Sequence, residues 1–230
     1  MPTSLGGRSV PPGVLRCLLG ETRRLPVGSA DEPGAHVKAW RVPPAELPED
    51  VAGFLGERDA AQVNLYRALA NSPDLVRAWR SFLWDLRDRC ESPRPLRELV
   101  VLRCAVRHTS EYEWAHHATM ARVAGVSDEQ IEGVVRHPDA GCFSNDERLA
   151  LELSDAVCDN AVSDELARRA VEGFGPSVYV ELVLTASAYV MTARVLDALG
   201  VPLEDGVPGA RSFHGWPPRP RRGEPRKPRP

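Results

Sequence analysis

Residues 95–124 read PLRELVVLRCAVRHTSEYEWAHHATMARVA, and the periodicity of this stretch decides the fold. Pro95 suits the first turn of a helix that runs to about His108. Successive side chains on a helix turn by about 100°. That groups Glu98 with Val101, Leu102 and Ala105 and sets Arg103 and Arg107 on the opposite side. Ser110 suits the N-cap of a second helix from Glu111 to Ala124, which Gly125 stops. On this helix Glu113, His117, Met120, Ala121 and Ala124 share one side, with Glu111 and Arg122 opposite. Two successive helices therefore each carry ionisable groups on an otherwise apolar face.

The same reading extends outward in both directions. Pro73 opens a helix ending near Asp88, and Ser127 with Gln130 forms a capping box for a short helix to about Arg136. Asn145 to Asp159 places Leu149, Leu153, Ala156 and Val157 on one face. Ser163 caps a helix up to Gly173. Ser177 to Leu199, closed by Gly200, is apolar nearly all round and predicts a helix that is buried centrally or shared with another subunit. No segment alternates with period two and no internal repeat occurs. The expectation is an all-α bundle over residues 51–203. Residues 1–50 hold eight prolines and six glycines and read as an N-terminal arm. Residues 204–230 are rich in Pro and Arg and are expected to be a disordered basic tail.

Bulk properties narrow the function classes. The chain has 230 residues, 43% apolar and 27% charged, as ordinary globular proteins do. Its net charge of −3 hides an acidic body of about −9 and a basic tail, since Arg211 to Pro230 carries seven Lys or Arg against Glu224 alone. That balance argues against general nucleic-acid affinity. Arg8, Pro11, Pro12 and Arg16 interrupt any signal-peptide core. Val178 to Leu199 contains Glu181, Arg194 and Asp197, and its uncharged centre is too short to span a bilayer. The expectation is a soluble, cytoplasmic protein without membrane contact. Cys17, Cys90, Cys104, Cys142 and Cys158 are scattered, with no Cys-x-x-Cys and no zinc spacing. Neither Cys90 with Cys104 nor Cys142 with Cys158 has redox-motif spacing.

Each ionisable residue admits two readings. Glu98, central on an apolar face, is either a general acid–base group made basic by burial or a carboxylate near a helix start paired with an arginine. Glu113 and His117 are one turn apart and form a plausible proton-transfer unit. Yet Ser110-x-x-Glu113 is also a capping box, and His117 taken alone would be a core histidine. His116 points away from that centre. Tyr112 and Trp114 are pocket walls or packing, and with His116 they are the candidate substrate-binding residues. Glu113-x-x-His116 occurs only once, so a di-iron site lacks its second half. A facial triad needs two histidines. Neither metal nor cofactor is expected.

The pattern Glu98, eleven residues, then Ser110-x-x-Glu113-x-x-x-His117 resembles the active-site motif of the carboxymuconolactone decarboxylase and alkylhydroperoxidase D superfamily. There the order is Glu, eleven residues, then Cys-x-x-Cys-x-x-x-His. Arg97 to Leu102, Glu111 to Trp114, Ala124 to Ser127 and Tyr189 to Leu196 also resemble family landmarks in family order, over residues 95–199. The resemblance implies an alkylhydroperoxidase D-type helical fold assembled as trimers or hexamers. It also implies that Glu98 and His117 match the proton relay, while Ser110 and Glu113 stand where the peroxidase branch carries its two cysteines. A hydroxyl and a carboxylate cannot replace a nucleophilic, redox-active thiolate. What the resemblance leaves is the decarboxylase branch: a cofactor-free lyase or isomerase acting on a small organic acid or lactone. His117 would then donate a proton, with Glu98 and Glu113 tuning it or positioning substrate. The alternatives are a peroxiredoxin-like member with weak or lost peroxidase activity, and a non-catalytic small-molecule-binding oligomer.

Overall fold

A computed structural model describes residues 40–47, 49–55 and 63–207. Among these residues there are eight helices and no strand. They are α1 Glu49–Leu55, α2 Asn64–Leu69, α3 Pro73–Asp88, α4 Arg94–His108, α5 Glu111–Ala124, α6 Asp128–Arg136, α7 Asn145–Cys158 and α8 Asp164–Leu199. The fold is an all-α bundle, as the helical periodicity predicts. Most of the expected N-terminal arm and basic tail lies outside the described residues. The described edges of both are docked. The Arg41 backbone N–H bonds Leu199 O at 3.0 Å, and Glu204 is held by three donors detailed below.

Local chemistry sets the helix ends. Ser127 and Gln130 form the expected capping box, and Ser144 with Glu147 forms another. Each satisfies two backbone donors reciprocally. Three helices close on a left-handed residue, Thr109 after α4, Gly125 after α5 and Gly200 after α8. In each, the following N–H bonds back across the last turn: Ser110 to Ala105 O, Val126 to Ala121 O, Val201 to Leu196 O. Thr109 is the exception among them in carrying a β-branched side chain at φ 51°. The α4–α5 turn that brings Glu98 and His117 together is thus made at a conformational cost.

The helix surrounded on all sides is α4. It packs against α5, α6, α7 and α8, and every residue from Leu96 to Val106 is buried. One side, with Leu99, Leu102 and Val106, joins Trp114, Ile131 and Leu151. The other, with Leu96, Val100 and Cys104, joins Leu153, Leu182 and Ala186. Burial extends to its charges. Arg103 makes a two-pronged ion pair with Asp155 of α7, at 2.6 and 2.7 Å, and donates to Val134 O of α6 at 2.8 Å. Such forked pairing fixes orientation as well as charge.

The final long segment is two helices end to end. Gly175 leaves helical geometry at φ 78°, ψ 161°, just before Pro176. Pro cannot accept the helical arrangement of the turn before it, so α8 breaks there. The second half packs Leu182, Ala186, Val190 and Leu196 inward. It leaves Val180, Leu184 and Met191 exposed. By length and composition α8 holds a window apolar enough for a membrane span, 44% of it buried against the rest of the bundle. Glu181 within it accepts from the backbone N–H groups of Glu91 and Ser92, both at 2.8 Å, and so ties the α3–α4 loop to α8. One side of α8 thus packs into the bundle and another is left uncovered.

Candidate active site

Two helices and one turn build the central contact. Arg94 and Glu98 are one turn apart on α4, and Arg94 Nε donates to Glu98 Oε1 at 2.7 Å. From α5, His117 Nδ1 meets Glu98 Oε2 at 2.8 Å. Glu98 is 1% exposed and His117 is buried beside it. Tyr189 of α8 sets its ring edge-on to the His117 imidazole, with centroids 4.7 Å apart. The arginine-paired reading of Glu98 is realised, and the same carboxylate also holds a histidine; burial does not make it basic, because these two partners outweigh it.

The electrostatics assign protons. Burial pushes the Glu98 carboxyl up, but His117 and Arg94 together outweigh it and hold the group below its ordinary value. Burial pushes the His117 imidazole down, with Glu98 pulling the other way and Arg94 and Arg87 adding to the fall. The self-consistent state near neutrality is an ionised Glu98 and a neutral His117. In that state Nδ1–H donates to Glu98, and Nε2 keeps its lone pair. No hydrogen bond to Nε2 is made among the described residues. Burial first, then Glu98 and Glu113, also keeps the Tyr189 phenol protonated well past its usual range.

Glu113 is 2% exposed on the same side of α5 as His117. The capping-box reading does not hold. The Ser110 side chain makes no cap bond, and its backbone N–H is given to Ala105 O at 2.9 Å. The Glu113 carboxylate instead lies within electrostatic reach of Tyr189 and of Cys104.

The three candidate substrate-binding residues are not grouped with Glu98 and His117. Trp114 is fully buried in the core with Leu99, Leu102 and Ile131, where it packs. Tyr112 and His116 converge on Glu204 instead. The Tyr112 hydroxyl donates to Oε1 at 2.6 Å, His116 Nε2 meets Oε2 at 2.8 Å, and the Asn64 backbone N–H donates to Oε1 at 2.7 Å. Burial pushes the Glu204 carboxyl up, yet these partners hold it below its ordinary value. This second constellation fastens the C-terminal segment to α2 and α5.

The structure adds three partners that the sequence reading passed over. Arg94 was legible as an i,i+4 partner of Glu98. Tyr189 and Glu204 come from far along the chain; Tyr189 opens a stretch that resembles a family landmark, but nothing local marks either residue as a partner of α5. Among the described residues, no group of three His, Cys, Asp or Glu is arranged to hold a metal ion.

The sequence profile of the carboxymuconolactone decarboxylase family matches residues 73–156, which include Glu98, Glu113 and His117. That match spans the central helices α3 to α7 and is what this chain is similar to over those residues. Solved structures agree on the fold. The alkylhydroperoxidase AhpD core of an uncharacterized peroxidase-related protein from Ralstonia eutropha JMP134 superposes with a TM-score of 0.64 at 19% identity, covering 74% of this chain and 95% of that one. A peroxidase-related protein from Silicibacter sp. TM1040 gives 0.62 at 15% identity, covering 81% and 98%. The debrominase Bmp8, a variant in complex with 2,3,4-tribromopyrrole, gives 0.60 at 15% identity, covering 70% and 91%. The comparison with curated proteins returned no match.

Proposed function

We propose that the protein is a cofactor-free acid–base enzyme of the lyase or isomerase type, acting on a small organic acid or lactone. One observation carries this reading: a buried carboxylate, Glu98, holds His117 Nδ1 at 2.8 Å and so directs Nε2 as the proton-transfer atom. A carboxylate behind an imidazole fixes its tautomer and stabilises its charged form during transfer. The neutral resting state makes Nε2 a base first. An anionic substrate beside Nε2 supplies negative charge and raises the imidazole pKa, so Nε2 takes up a proton from water and can then give it to carbon. In a decarboxylation this delivers a proton to the carbanion-like carbon left by carbon dioxide. Glu113, on the same side of α5, places a second carboxylate for orienting substrate.

The test uses small carboxylated lactones and unsaturated acids, with carboxymuconolactone as the first member, followed by NMR in deuterated water. Deuterium at the new C–H bond and release of carbon dioxide are expected. Replacing His117 with Ala, or Glu98 with Gln, should lower the rate by roughly 10²–10⁴-fold with helical circular dichroism intact. Unchanged rates in both variants would overturn the assignment.

We further infer a homo-oligomer assembled through the open side of α8. Val180, Leu184 and Met191 are 52%, 42% and 39% exposed along that helix, an apolar stripe of the kind that marks an interface.

A further inference from the structure

Outside the Glu98–His117 centre, the fold brings together two cysteines that are 54 residues apart in sequence. Cys104 of α4 and Cys158, the last residue of α7, hold their sulfurs 3.7 Å apart. Cys104 is fully buried, with its Sγ 3.4 Å from Ser154 Oγ and 3.6 Å from Ala186 O. Cys158 is half-buried and so reachable from outside. One turn beyond Cys104 on α4, His108 lies within electrostatic reach of Cys158, as does Arg107.

We propose that Cys104 and Cys158 form a redox-modification site, a dithiol that hydroperoxides convert to a disulfide joining α4 to α7. The two sulfurs have distinct parts. Contact with the Cys104 thiol, opposed by burial, and then the His108 imidazole favour the thiolate at Cys158, while Asp155 opposes it. Cys104 is held as a thiol by its contact with Cys158, by burial and by the Glu113 carboxylate. Cys158 thiolate attacks the distal oxygen of the hydroperoxide, forming a sulfenic acid and releasing an alkoxide or hydroxide that takes up a proton. The Cys104 sulfur then attacks the sulfenic sulfur, the S–O bond breaks, and the Cys104 proton leaves with the hydroxide as water. Two thiols and one hydroperoxide thus give one disulfide, one alcohol or water, and one further water. The sulfurs must close by about 1.7 Å to reach bonding distance, a movement the terminal turn of α7 can supply.

Hydrogen peroxide added in rising amounts to the full-length reduced protein, followed by alkylation and peptide mass mapping, tests this. The expected first product is the Cys104–Cys158 cross-linked peptide, lighter by two hydrogens, with Cys90 and Cys142 still alkylated. Cys142 and Cys90 serve as internal comparisons because both are also half-buried. In Cys104→Ser, Cys158 should instead be trapped as a sulfenic acid by dimedone. At neutral pH, iodoacetamide should label Cys158 roughly ten times faster than Cys142, an advantage that His108→Ala reduces. Oxidation of Cys90 or Cys142 ahead of the pair, or overoxidised Cys158 beside a free Cys104 in the wild-type protein, would overturn the proposal. Neither outcome bears on whether His117 moves protons, which the turnover experiment decides.

Discussion

His117 and Glu98 share one hydrogen bond, yet burial drives their free energies in ways that separate on a pH scale. An imidazole whose folded pKa is depressed binds its proton more readily when unfolded. Its contribution to stability is present above the unfolded value of about 6.5 and is lost as pH falls from there toward the folded value. Glu98, also depressed, contributes above the unfolded carboxylate value of about 4.3 and loses that as pH falls through its folded value. Urea unfolding at pH 7.5 and 5.5 should therefore show a larger drop for the wild-type protein than for His117→Gln. Equal drops would mean that His117 titrates normally. The pair itself was legible in the sequence, because each residue interrupts an apolar helix face. Cys104 and Cys158 were not, because contact between α4 and α7 alone creates their proximity.

At the level of elements, the α4–α5 turn is the point of strain. Thr109 sits in the left-handed region at φ 51°, where a β-branched side chain is disfavoured by about 1–2 kcal/mol. Thr109→Gly should stabilise the protein by roughly 0.5–1 kcal/mol, after the entropy glycine adds to the unfolded chain. A lower denaturation midpoint would show that the Thr109 hydroxyl, bonded to His108 O at 2.7 Å, matters more. Between α4 and α7, Asp155→Ala leaves the buried Arg103 guanidinium with only the Val134 carbonyl. A loss of about 3 kcal/mol is expected in chemical denaturation. Helix boundaries were readable where end chemistry is local, as at Pro73, Ser127 and Gly200. The contact order was not: the sequence read the last helix as buried centrally or shared with another subunit, without deciding between the two. The structure makes α4 central and leaves α8 with an uncovered side, since an all-apolar surface records burial without saying whose.

For the molecule as a whole, the exposed stripe on α8 predicts assembly. The protein should sediment as a multiple of its 25.2 kDa chain, and Leu184→Glu should shift it toward the single chain without loss of helical signal. Identical sedimentation of both forms at the monomer value would remove α8 as a contact.

The encirclement of α4 has a consequence for how the protein breathes. Helices with an outer face can exchange amide protons through local fraying, whereas α4 has neighbours on four sides and opens only when the bundle comes apart. Its deuterium uptake therefore reports the global unfolding free energy, and the uptake of every other helix can be read against it as a clock.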